Sequence, residues 1–258
     1  MKEKELRLDI ILASLESLRK KLIARTWGNV SARLDDEHFL ITPSGLDYTS
    51  MKSDDLVIVN LADLSYDKSQ RKPSSEKRIH SAAYKYYKDV NFVIHTHQPY
   101  ASAICAEGKN VTLDDGTILP CAGYGLPGTK KLAENVENCF RQYPNARCFL
   151  MEKHGAIIMG KDKEETIYRA VKLEEHCRIL YEKRVKNKSA ISKELPYLDD
   201  YAQIMPPAKN EDEEAVKLVK EKNDLANAYV KNAKPLSFID RNLQHIVYRL
   251  KYSKMRNR

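Results

Sequence analysis

Two histidines one residue apart, His95-Thr96-His97, close the apolar run Asn91-Phe-Val-Ile94 and are the first residues of this chain that suggest chemistry. Residues i and i+2 of a strand point to the same face, so both imidazoles converge on one point. Such a pair suits a divalent metal such as Zn²⁺, held at Zn–N distances of about 2.0–2.1 Å. It is also the pattern of two rings placed at a strand end for hydrogen bonding. His154, in Lys153-His-Gly155, stands between two further apolar runs. It completes a set of three, the ligand number of a catalytic zinc with one open position, or it is a turn residue bonded to backbone. Glu76 follows Pro73-Ser74-Ser75 at the head of a helical pattern, where free N–H groups and the positive end of the helix dipole favour an anion. It reads as a first-turn acid behind a serine cap, or as a carboxylate beside a phosphate-binding serine pair. Gly28-Asn-Val-Ser31 and Thr42-Pro-Ser-Gly45 read as turns whose amide and hydroxyl groups are able to face phosphate oxygens.

The elements that must position these groups alternate along the chain. Leu8, Ile11, Leu12, Leu15, Leu18 and Leu22 recur at helical spacing, which predicts a helix over about 5–24 with that stripe packed on the body. Strands are expected at His38–Thr42, Asp55–Asn60, Asn91–His97, Cys148–Met151 and Ala156–Met159. Helices are expected over about Ser75–Lys88, capped by Ser74-Ser75, over Tyr100–Glu107 and over Lys163–Lys183. Beyond Ser189, Leu195-Pro196, Met205-Pro206-Pro207 and the charged run Asn210–Glu214 mark a linker or arm, followed by helical patterns near 211–232 and 238–253. The order of elements predicts an α/β protein, a three-layer α/β/α sandwich around a central, largely antiparallel sheet. Residues 1–190 would form the main domain and 191–258 a helical extension, basic at its end.

Composition narrows the function classes. With 258 residues, 42% hydrophobic and 31% charged, the chain is an ordinary globular protein. Six of its formal +8 charges lie between Arg241 and Arg258, a stretch without acids, so the main domain is near +2 and has no basic face for nucleic acid. Five cysteines with no C-x-x-C spacing argue against a disulfide framework and a cysteine zinc knuckle, and fit a reducing compartment. The N-terminus carries Asp9 and Glu16 inside its stripe, unlike a secretory signal. No run approaches the ~18 apolar residues of a membrane span, and the cytoplasm is the expected location.

In order, Gly28-Asn-Val-Ser31, Thr42-Pro-Ser-Gly45, Pro73-Ser-Ser-Glu76, His95-x-His97 and Lys153-His-Gly155 resemble the class II aldolase/adducin family, over about residues 5–185. The resemblance implies a zinc-dependent enzyme, one ion per subunit, usually a homotetramer with sites at subunit interfaces. Its substrate would be a small phosphorylated sugar, a ketose 1-phosphate like L-fuculose 1-phosphate. Cleavage would give dihydroxyacetone phosphate and an aldehyde through a metal-stabilised enediolate. Carried over residue by residue, His95, His97 and His154 become metal ligands. Glu76 becomes a fourth ligand at rest and the acid/base in turnover. Asn29, Ser44, Gly45, Ser74 and Ser75 would hold the phosphate, and Tyr124 would donate a proton from a neighbouring subunit. Thr96 and Lys153 depart from the family pattern beside the ligands, and Tyr197 or Tyr201 would stand in for a site-closing C-terminal tyrosine. The scaffold also includes pentulose-5-phosphate 4-epimerases, a methylthioribulose-1-phosphate dehydratase and non-catalytic adducin-like modules. Epimerases resemble Pro-Ser-Ser-Asp where this chain has Pro73-Ser-Ser-Glu76, and adducin-like heads lack the full histidine set. His38, His80, His176 and His245 are left as surface or packing residues.

Overall fold

A computed structural model describes residues 3–23, 26–113 and 115–186. Short apolar runs bounded by turn residues form strands, and two faces of helices bury them. The strands are β1 (Asn29–Arg33), β2 (His38–Ile41), β3 (Val57–Asn60), β4 (Phe92–Thr96), β5 (Val111–Thr112), β6 (Ile118–Leu119), β7 (Cys121–Ala122), β8 (Cys148–Met151) and β9 (Gly155–Gly160). The helices are α1 (Glu3–Arg19), α2 (Lys77–Tyr86), α3 (Pro99–Cys105), α4 (Lys130–Gln142) and α5 (Lys163–Lys186). Seven strands make one sheet in the order β3-β2-β1-β4-β9-β8-β7, while β5 and β6 form a separate hairpin. Every pairing of the large sheet is antiparallel except β7 with β8.

Period-2 alternation divides the core. Phe39, Val93, Ile157 and Met159 point to one face, where they meet Ile79 and Ala83 of α2 and Leu132, Val136 and Phe140 of α4. Leu40, Val30 and Ile94 point to the other face, onto Leu6, Ile10 and Ala13 of α1 and Ile167 of α5. Ile158 and Leu150 do the same against Ile104 of α3 and Leu173 of α5. This is the expected α/β/α sandwich around a largely antiparallel sheet.

Several local expectations need correction. Gly28–Ser31 is not a turn throughout: Asn29 opens β1, which lies in the middle of the sheet between β2 and β4. Its alternation puts Asn29 and Ser31 on one face and Val30 and Ala32 on the other, so polar residues disguise a strand buried up to its last residue, Arg33. The α1 stripe is also rotated from the expected one. Leu6, Ile10, Ala13, Ser14 and Ser17 are buried, while Leu8, Leu12 and Leu15 are exposed. Small residues let α1 approach the sheet closely, and the Ser14 hydroxyl returns its hydrogen bond to the Ile10 carbonyl at 2.7 Å. The extension 191–258, its helical patterns, Tyr197, Tyr201 and His245 lie outside the described residues.

Candidate metal centre

The centre is built where β1, β4, β9 and the head of α2 meet. β4 lies between β1 and β9, pairing Asn29 with His95 on one side and Ala156 with Thr96 on the other. His95 projects toward α2, as the strand period requires, and His97, one residue past the end of β4, brings its ring to 4.6 Å from that of His95. His154 ends the Met151–His154 turn, closed by a 3.0 Å bond from His154 N–H to the Met151 carbonyl. Gly155 allows this approach: a Cβ there would lie 2.2 Å from the Thr96 carbonyl oxygen and 3.3 Å from the His95 ring.

The ring centroids of His95, His97 and His154 stand 4.6, 4.7 and 5.1 Å apart, each pair edge to face. Glu76 completes the group, and one ligand atom from each of the four residues falls within 4.8 Å of the others. His95, His154 and Glu76 are buried, while His97 is half-buried and forms the open side. Trp27 flanks that side, 6.1 Å from the His97 ring.

Donor chemistry shows what the group fits. His95 Nδ1 lies 2.9 Å from the Ala156 carbonyl, which only accepts, so Nδ1 carries a proton and donates it. A neutral His95 therefore turns a bare Nε2 lone pair toward Glu76 Oε2, 3.1 Å away. His154 Nε2 lies 2.9 Å from Glu76 Oε1. Glu76 Oε1 and His95 Nε2 are nonetheless buried without an aligned hydrogen bond. Two acceptors face to face at this distance need a cation between them, and four converging N and O donors fit a metal ion better than a proton. The backbone bond at His95 Nδ1 is the outer-shell contact that fixes ring orientation and tautomer for a ligand. Burial pushes the Glu76 carboxyl up, but positive charge at His154 and His95, carried when those rings are protonated, outweighs it and holds Glu76 well below the usual carboxylate range.

The candidate phosphate turns come together beside this group. An antiparallel bridge joins Pro43 to Pro73, with Ser44 N–H donating to the Lys72 carbonyl at 2.9 Å and Ser74 N–H to the Thr42 carbonyl at 3.1 Å. Ser44, Gly45 and Ser75 are exposed, and Ser74 is buried. The cap of α2 differs from expectation. Glu76 itself is the N-cap, and its N–H donates to the Ser74 hydroxyl at 3.3 Å. Ser75 is thereby left facing solvent. Asn29 lies apart from the exposed turns, with its side-chain amide between Glu76 and His80.

Tyr124 stands next to Lys153 rather than inside the four-residue group, with the lysine ammonium 5.9 Å from its ring. Its N–H donates to Glu152 Oε2 at 3.0 Å, and its hydroxyl oxygen is buried without a hydrogen-bond partner. Burial and the Glu152 carboxylate raise the phenol above its ordinary value, so it keeps its proton at neutral pH. The Tyr124 loop reaches the phosphate turns at Gly128, where a Cβ would lie 2.9 Å from the Ser75 carbonyl oxygen. Thr96 does not line the centre: the strand period turns it to the opposite face from His95, where it is fully buried. His80, set aside in the sequence as surface or packing, is fully buried and hydrogen-bonded to Asn29, next to Glu76. Its spacing puts it one helical turn on from Glu76, but its partners on β1 are set by how strand and helix pack, which no local pattern carries.

Comparison with known proteins places the chain. The family model described as "Class II Aldolase and Adducin N-terminal domain" matches residues 9–181. The chain belongs to this family. It is 32% identical over 187 residues to a 5-deoxy-D-ribulose 1-phosphate aldolase of Bacillus thuringiensis serovar kurstaki, covering 70% of this chain and 84% of that protein. It is 29% identical over 214 residues to the L-ribulose-5-phosphate 4-epimerase UlaF of Salmonella paratyphi B, covering 76% and 91%. The solved structure of L-fuculose-1-phosphate aldolase from Thermus thermophilus has the same fold, with TM-score 0.61 at 23% identity over 72% of this chain and 98% of that one. These class II relatives are enzymes, one group of them aldolases and another epimerases.

Proposed function

We propose that this protein is a metal-dependent class II aldolase that reversibly cleaves a ketose 1-phosphate to dihydroxyacetone phosphate and an aldehyde. The observation that carries the reading is the meeting of Glu76 with His95, His97 and His154, all four able to direct a ligand atom to one place. Three imidazoles with a carboxylate are the donor set of a zinc site, and zinc is the proposed ion. Bound there, a divalent ion supplies Lewis-acid stabilisation of the negative charge that develops on the sugar oxygens.

The protein groups do the rest. Ser44, Gly45, Ser74 and Ser75 are proposed to hold the phosphate, on turns pinned together through Pro43 and Pro73, while the Asn29 amide, committed to Glu76 and His80, has only its second N–H to offer it. Fixing the phosphate removes much of the orientational freedom otherwise lost at the barrier. In cleavage the C3–C4 bond breaks, its electron pair stays with C3, and Glu76 returns a proton to C3. In condensation Glu76, held as a carboxylate, takes that proton. In that direction Tyr124, which keeps its proton at neutral pH, gives it to the aldehyde oxygen at C4, and in cleavage the C4 hydroxyl proton passes back to the deprotonated tyrosine oxygen. In a homotetramer, the proposed assembly, Tyr124 would act at a neighbouring subunit's site. Cys105, Cys121, Cys139, Cys148 and Cys177 are all free thiols, and the cytoplasm is the proposed setting.

A second reading, sugar-phosphate 4-epimerisation, is favoured by the long match to UlaF. The longer carboxylate of Glu76 favours the aldolase. Exchange of the C3 proton of dihydroxyacetone phosphate with deuterated water, with no aldehyde present, isolates the proposed Glu76 step. Glu76→Gln should slow this exchange by about 10²–10⁴-fold, measured on protein of known metal content. Exchange at the wild-type rate in a fully metal-loaded Glu76→Gln protein would remove Glu76 from the reaction.

A further inference from the structure

A single file of buried polar side chains runs away from Glu76 into the core. Asn29 and Ser31 are two residues apart on β1, on the face turned toward α2. Glu76, His80 and Tyr84 are four residues apart along α2, with Glu76 at its N-cap. The two spacings match, since two strand residues advance about 6.7 Å and four helical residues about 6 Å. Strand and helix side chains therefore interleave. The Glu76 carboxylate Oε2 lies 3.1 Å from Asn29 Nδ2. Asn29 Oδ1 meets His80 Nε2. Ser31 Oγ stands 2.6 Å from His80 Nδ1 and 2.7 Å from the Tyr84 hydroxyl. All five side chains are buried, with Ser31, His80 and Tyr84 fully so.

Two facts place the protons in this file, a carboxylate that only accepts and an uncharged His80. The Asn29 atom facing Glu76 is then the NH₂, and the atom facing His80 is the carbonyl. His80 must donate to that carbonyl from Nε2. Burial pushes the His80 ring down to about 3, so it is neutral and Nδ1 accepts. Ser31 donates to Nδ1 and in turn accepts from the Tyr84 hydroxyl. The file thus has one direction, from Tyr84 through Ser31, His80 and Asn29 to Glu76. It leaves the second Asn29 amide N–H unassigned.

We propose that His80 is a positioning residue: its Nε2–H holds the Asn29 amide with the NH₂ toward Glu76, and so fixes the carboxylate that moves the proton at C3. The proposal rests on the reading of Glu76 as acid/base. A ring that merely filled space in the core would need no particular tautomer. Nor would it need the Ser31 hydroxyl at its Nδ1, itself bonded to the Tyr84 hydroxyl. His80 here acts on the reaction through Asn29 rather than by touching the sugar.

Two measurements test it. Nitrogen-15 NMR of histidine-labelled, metal-free protein at pH 7, with His80 assigned by its absence in His80→Gln, should show the neutral Nε2–H tautomer. The Nδ1–H tautomer would overturn the proposal, because the file would then run the other way. This readout does not depend on turnover, so it stands apart from any failure of the aldolase reading itself. In metal-loaded enzyme, His80→Phe should lower kcat about 10–100-fold, the usual cost of losing an outer-shell partner, with Tyr124 chemistry untouched. His80→Gln, which keeps an N–H near the Nε2 position, should recover most of the loss. Since His80→Phe leaves the Asn29 carbonyl buried without a donor and could unfold the chain, Ser31→Ala is made in parallel. It keeps His80 but takes the donor from its buried Nδ1, which weakens the hold on the Nε2–H tautomer, and should lower kcat in the same sense. Folded, metal-loaded His80→Phe or Ser31→Ala with wild-type kcat and an unchanged pH profile would reduce His80 to packing.

Discussion

His95 has its Nδ1 proton committed to the Ala156 carbonyl and its Nε2 aimed at Glu76, so its value lies in a lone pair that no protein donor meets. His95→Ala removes one of the converging donors without crowding the core. Metal content, measured by mass spectrometry of the purified protein, should fall from about one ion per chain toward none. Turnover should be lost with it, while the circular dichroism spectrum remains that of a folded protein. Full metal and full turnover in His95→Ala would displace the centre from this position. The His95/His97 pair was legible as local i, i+2 spacing on a strand, while His154 and Glu76 were legible as ligands only through the family resemblance. His80 and the Asn29 contact to Glu76 were not. They depend on how far apart β1 and α2 lie, and no local pattern carries that distance.

At the scale of elements, the centre depends on close approach between β4 and β9. Gly155→Ala would place a Cβ 2.2 Å from the Thr96 carbonyl oxygen. Strand and turn must then separate, at a cost of about 1–3 kcal/mol, and His154 moves with them. Chemical denaturation should show the lost stability together with weaker metal binding, whereas wild-type values for both would mean that the turn has room to spare. A second contact ties the end of α5 to the chain just after α3. The Arg184 guanidinium beside Glu107, bonded to it at 3.0 Å, lowers that carboxyl from its ordinary 4.5 to about 2. A lowered carboxyl stabilises the fold fully above its unfolded value and ceases to do so as pH falls through its folded value. Glu107→Gln should therefore cost about 1 kcal/mol at pH 7, a solvent-screened figure, and the gap should close as pH falls from about 4.5 to 2. A gap that is independent of pH over that window would show packing rather than charge. The elements themselves were unevenly legible. β8 and β9 are apolar throughout and β4 opens on the apolar run Phe92-Val-Ile94, so all three match their expected bounds to within a residue or two. β1 hides behind Asn29 and Ser31, and α4 went unread although Thr129 caps it and Leu132, Val136 and Phe140 recur along its buried face.

At the scale of the described residues as a whole, the sheet separates two apolar layers and gathers most of its polar exceptions beside the candidate metal centre, Thr96 lying on the other face. The α2/α4 face receives His95, Asn29 and Ser31 next to an otherwise apolar core. The opposite face carries α1, whose Leu8, Leu12 and Leu15 remain exposed because the helix seats its small residues inward. That rotation was illegible in a sequence where the leucine stripe and the Leu6-Ile10-Ala13 stripe are both helical. Among the described residues, no helix is long and apolar enough to cross a membrane. The central claim is that this fold brings a metal and a ketose 1-phosphate together for C3–C4 cleavage. It is tested most directly by the metal content of the purified protein, coupled to dihydroxyacetone phosphate release across a panel of ketose 1-phosphates and ketose 5-phosphates. One divalent ion per chain, with triose phosphate released from a ketose 1-phosphate and release abolished by chelation, is the predicted result. A metal-loaded protein that releases no triose phosphate from any ketose 1-phosphate, but interconverts ketose 5-phosphates at C4, would contradict it.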